Sequence, residues 1–101
     1  MDDLQKAKDT IEAAQVLAAA AKLKQQQNCP SRQGMIDALM AAWNAAPVEI
    51  ANIENGAVPD MPSFLTSLPD DLLYIRLQLY YQGLVRYCEK KALNDTFQQL
   101  L

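Results

Sequence analysis

No histidine occurs among the 101 residues, which removes the commonest general base and the commonest metal ligand. The chain has no glycine-rich phosphate loop, no Gly-x-Ser-x-Gly elbow and no Cys-x-x-Cys pair, so an enzyme is not expected, and neither a cofactor nor a metal. Cys29 and Cys88 stand far apart in sequence and read as two free thiols of a reducing compartment. No apolar run approaches the roughly 20 residues that span a bilayer. Near the amino end the longest, Val16–Ala21, stops at Lys22, and Met-Asp-Asp-Leu-Gln lacks the basic region and apolar core of a signal peptide. A soluble, cytoplasmic protein without membrane contact is expected. Glycine and proline are scarce (three and five) while half the residues are hydrophobic, which favours a globular helical chain over a disordered one.

Basic residues are also missing from one long stretch. Between Gln33 and Ile75 there is no Lys or Arg, yet Asp37, Glu49, Glu54, Asp60, Asp70 and Asp71 all fall there. Formal charge is +1 over residues 1–32, −6 over 33–75 and +2 over 76–101. Such a surface repels phosphate. It suits a basic protein partner better than nucleic acid or anionic lipid, with Glu49, Glu54 and Asp60 as candidate steering residues.

What is present has helical periodicity throughout and no useful strand alternation. The expectation is an all-α fold, a small bundle of about four to five helices with long N- and C-terminal helices, in a single domain over 1–101. Its parts would be a long Ala-rich helix (1–28), an acidic helix-turn-helix-like segment (32–68) and an apolar, aromatic C-terminal helix (69–101). The first helix, about 3–27, carries Leu4, Ala7, Ile11, Ala14, Ala18 and Ala21 in alternating steps of three and four. This heptad seam of mostly small residues lets a partner helix approach closely, within the chain or from another one. Ser31 is a good N-cap for a second helix to about Asn44, with Ile36, Leu39, Met40 and Trp43 on its apolar face. Pro47 suits the first turn of a third helix, which Asn55-Gly56 would end. A short helical turn is expected over 62–68. Ser67, Pro69, Asp70 and Asp71 then announce a helix start, a cap followed by acids near the dipole.

The last helix, about 70–92, confines its polar side to Gln78, Gln82, Arg86 and Glu89. Apolar residues spread over roughly 240°, against the arc of about 100° that a surface helix needs. Such a helix is either central in the domain or shared with another chain, and Gly83 within it implies close backbone approach or a kink. Tyr74, Tyr80, Tyr81 and Tyr87, with Leu77 and Leu84, are its candidate partner-binding residues, since tyrosine pairs an apolar body with a hydroxyl that needs a partner. A final turn around Phe97, Leu100 and Leu101 is also expected.

Leu39, Asn44 and the run Ile50-Ala51-Asn52-Ile53-Glu54-Asn55-Gly56 resemble the helix-turn-helix of the Cro/CI-type repressor family. The resemblance covers residues 39–56, with Leu39 early in the first helix, Asn44 at the turn and Pro59 following as it often does there. It implies a dimeric DNA-binding regulator whose reading helix starts at Pro47 and presents Val48, Glu49 and Asn52 to a groove, Asn52 towards adenine. No Lys or Arg in the motif neutralises phosphate. The leading expectation is therefore a small acidic protein-binding protein of chaperone, adaptor or inhibitor type. It would act by occupying a partner protein and form a homodimer, two-fold through the last helix; the DNA-binding regulator is the alternative.

Overall fold

The computed structural model describes residues 2–56 and 58–91. Five helices follow in order: α1 Asp2–Asn28, α2 Arg32–Ala45, α3 Pro47–Ile53, α4 Met61–Thr66 and α5 Asp70–Lys90. No strand occurs among the described residues, and none of the described helices is long and apolar enough to cross a membrane. The all-α bundle expected from the sequence is the fold found. The turn expected around Phe97, Leu100 and Leu101 lies outside the described residues.

Local chemistry sets most boundaries. Ser31 caps α2, its hydroxyl accepting from the Gly34 N–H at 3.1 Å. Pro47 opens α3. At its end Asn55 takes φ 64° and Gly56 φ 143°, and their N–H groups donate to Asn52 O (3.2 Å) and Ala51 O (2.9 Å). That pair of bonds is a Schellman ending, which requires a left-handed residue at the position Asn55 fills. Asp60 caps α4, accepting from the Ser63 N–H (3.3 Å) and hydroxyl (2.8 Å). Asp70 and Asp71 open α5, but the preceding cap is Pro69 with no side-chain bond. Ser67, expected to help start this helix, instead donates to Phe64 O and closes α4.

α1, α2 and α5 pack against one another, α3 lies on α2 and α5, and α4 on α2. The bundle measures 46 × 28 × 17 Å. Its core joins Val16, Ala20 and Leu23 of α1 to Met35, Leu39 and Ala42 of α2 and to Leu73, Leu77, Tyr80, Leu84 and Cys88 of α5, with Ile50, Met61 and Leu65 from the short helices. On α2 the fully buried positions include small Ala38 and Ala42, while Ile36, Met40 and Trp43 are only partly covered. Alanines at these positions let α1 and α2 approach closely. Gly83 marks another close crossing: a Cβ there would stand 2.7 Å from Ile53 Cδ1 on α3.

Two sequence expectations need correction. The link between α2 and α3 is Ala46 alone, with φ −148° and ψ 67°. Asn44, assigned to the turn by the repressor resemblance, is helical, and the connection is shorter than the three to four residues usual in a helix-turn-helix. The second is the intrachain alternative for the heptad seam of α1. Leu4, Ala7, Ile11, Ala14, Ala18 and Ala21 are all exposed, whereas Ala13, Val16, Ala19, Ala20 and Leu23 face the core. With so many alanines on both sides, α1 could be buried by either face, and the neighbours' shapes decided which.

Candidate functional site

Of the tyrosine helix, one face is consumed by the fold. Leu73, Leu77, Tyr80, Leu84 and Cys88 repeat at three- and four-residue steps and point into the three-helix core. Leu77, Tyr80 and Leu84 were partner-binding candidates on the sequence; all three are buried and unavailable to a partner in the folded chain. Tyr81 and Tyr87 are half-buried. The Lys24 ammonium sits 4.8 Å from the Tyr81 ring centre, and the Tyr87 hydroxyl donates to Glu12. Burial and the neighbouring Glu12 push the Tyr87 phenol up to about 12. Tyr74 alone of the four is exposed, its hydroxyl donating to Gln27 O at 3.1 Å at the end of α1.

Two of the three candidate steering acids, Glu54 and Glu49, are likewise drawn inward. Glu54 accepts two bonds from Arg76, Nε to Oε1 at 2.8 Å and Nη2 to Oε2 at 3.1 Å, and a third from the Tyr80 hydroxyl at 2.9 Å. Its side chain is only 8% exposed. The Arg76 guanidinium also lies 5.3 Å from the Phe64 ring centre, and its hydrogen bonds to Glu54 raise its already high pKa. Burial, reinforced by Glu54, raises the Tyr80 phenol well above its ordinary value. Glu49 is buried and accepts from Lys90 at 2.7 Å. Asp70 pairs with Arg32 at 2.7 Å, the same guanidinium donating to Thr66 O at 2.6 Å. Asp60 is exposed but is occupied in capping α4.

Three of the six acids of the central stretch are therefore paired with cations in space. Arg32, Arg76 and Lys90 all lie outside it in sequence, and each reaches in to pair with one of its acids. These pairs join residues 22 to 41 positions apart, beyond the reach of a charge count along the chain. Of the residues that the repressor resemblance offers to a groove, Val48 and Asn52 are exposed and Glu49 is not.

The unspent apolar surface of α5 lies elsewhere. Leu72, Ile75, Leu79 and Val85 are exposed, Ile75 at 53%. Two grooves flank Tyr74 and Ile75. One, about 360 Å³, is lined by Gln27, Gln78, Leu79 and Gln82 together with that pair. The other, about 600 Å³, runs along Pro30, Arg32, Met35, Asp70 and Asp71 at the α1–α2 turn. The face carries Asp71 at its amino end, Gln78 and Gln82 along its middle, and Arg86 with Glu89 at its carboxy end. None of its four exposed aliphatics was singled out by the sequence, although the apolar arc of the helix was wider than one core could absorb. That surplus was the available signal. Among the described residues no group of three or more Cys, Asp or Glu side chains could hold a metal ion.

Comparison with protein-family models, with curated proteins and with solved structures gives no match for this chain.

Proposed function

We propose that this chain is a protein-binding domain that acts by occupying a partner protein, and that its docking surface is the outward face of α5 with the grooves beside Tyr74 and Ile75. The observation that carries the reading is that Leu72, Ile75 and Leu79 remain in solvent on a helix whose opposite face already completes the core. Apolar residues in steps of three and four along a groove fit an amphipathic helix laid beside α5. A basic residue of that helix would find Asp71 at the amino end of the face.

The test places a photo-crosslinking amino acid at Ile75 or Leu79 and identifies the adducts formed in extracts of the native host by mass spectrometry. A single specific protein, captured through a helix and lost in the Leu72→Asp variant, is the expected result. Adducts that are absent or unaffected by Leu72→Asp sink the reading. Retention on mixed duplex DNA that weakens steeply with salt would favour the regulator instead.

A further inference from the structure

α1 has two apolar faces, and the bundle uses one. Its inward face is complete without help: Ala13, Val16, Ala19, Ala20 and Leu23 are all buried. The outward face is a separate stripe with its own heptad register, and every one of its six positions is exposed. Two of them are large aliphatics, Leu4 at 65% and Ile11 at 60% exposure. High helix propensity accounts for the alanines of this stripe, and Leu4 and Ile11 add two exposed aliphatics to the same face.

The stripe is also divided. Its amino-terminal half presents Leu4 and Ile11, and its carboxy-terminal half presents only Ala14, Ala18 and Ala21. Beside that small half a groove of about 310 Å³ opens between α1 and α2, lined by Gln15, Ala18, Ala19 and Lys22 on one side and Ala41, Asn44 and Ala45 on the other. One half of the face carries two large side chains and the other only methyl groups. A surface that carries both the large residues and their small complement fits a two-fold copy of itself.

We propose that a second copy of this chain covers the outward face of α1, the two helices running antiparallel. In that register Leu4 lies opposite Ala21 of the second copy, Ala7 opposite Ala18, and Ile11 opposite Ala14. No layer then holds two large side chains, so the helices stay evenly and closely spaced. A parallel pair stacks Leu4 on Leu4 and Ile11 on Ile11 at one end and alanine on alanine at the other, which splays the helices apart. Antiparallel pairing does bring exposed Lys8 and Lys22 of opposite copies together on one flank. That like-charge contact weakens the dimer and supplies a test of direction. This interface is independent of the α5 face: it assigns self-association to α1 and leaves α5 for a different protein.

The experiment uses the whole chain in a Cys29→Ser background. Sedimentation equilibrium gives the dimer dissociation constant, and mixed disulfide formation gives the register. A Leu4→Cys chain mixed with an Ala21→Cys chain in a redox buffer should form the 4–21 crosslink, with little 4–4 or 21–21 product. Ile11→Lys should weaken the dimer at least tenfold while leaving helicity unchanged. Lys8→Glu should tighten it several-fold at low salt, the gain fading as salt is added. Ile75→Asp on α5 should leave it unchanged, so the two surfaces fail separately. A monomer at all concentrations, same-site disulfides in place of the 4–21 product, or a dimer weakened by Lys8→Glu would each overturn the proposal.

Discussion

Tyr80→Phe removes one hydroxyl from the interior and leaves the ring in place. No cavity opens, because the phenol ring lies in the core and its substitute has the same shape. What is lost is one bond of 2.9 Å to the Glu54 carboxylate, which keeps both contacts with Arg76. A hydrogen bond to a charged group contributes about 1.5–3 kcal/mol. Because two strong donors remain and Arg76 is partly exposed, the low end applies, about 1.5 kcal/mol. In a domain of this size that lowers Tm by about 6–12 °C. The control is Tyr74→Phe, whose exposed hydroxyl donates to Gln27 O at 3.1 Å and whose loss should cost no more than about 0.5 kcal/mol. Urea unfolding monitored by circular dichroism gives both values. A double-mutant cycle with Glu54→Gln should return a coupling of about 1 kcal/mol. Equal effects of Tyr80→Phe and Tyr74→Phe, or no coupling to Glu54, would refute the claim that the Glu54–Arg76–Tyr80 cluster fastens the end of α3 to α5.

Alkaline pH should unfold the protein through the same phenols. Tyr80 and Tyr87 have folded values raised above the ordinary 10.0, Tyr87 to about 12. Their neutral forms are favoured in the fold, so this stability is full below pH 10 and is lost as pH rises towards and beyond 12. Denaturant midpoints that stay constant across that window would contradict the assignment. Leu84→Asp should unfold the domain and not merely weaken association, because Leu84 is buried between helices; a fully helical, cooperative variant would show that this position is not core. Gly83→Ala gains about 1 kcal/mol of helix propensity but crowds the Ile53 Cδ1 methyl at 2.7 Å. The expected change is near zero alone and a stabilisation of about 1 kcal/mol in an Ile53→Val background, where that methyl is absent. A loss of stability in both backgrounds would place the limit in the backbone, not the methyl.

Much of the helix layout is legible in the chain because its signals are local. Ser31, Pro47 and Asn55-Gly56 act within a turn of their own positions, and each starts or ends the helix it should. The breadth of the apolar arc of α5 likewise marks it as more than a surface helix. Its inward residues were harder to separate from its outward ones. Leu77, Tyr80 and Leu84 look no different in composition from Leu72, Ile75 and Leu79, and only the positions of α1, α2 and α3 around the helix divide them.

Taken alone, the sequence determined helix class, helix ends and the surplus of apolar surface, because propensity, capping and periodicity are properties of neighbouring residues. Tertiary structure decided which face of α1 turned inward and where the acids of the central stretch went. Glu49, Glu54 and Asp70 meet Lys90, Arg76 and Arg32 only when helices distant in the chain become adjacent. Coulomb attraction depends on distance in space, and a one-dimensional charge pattern records only distance along the chain.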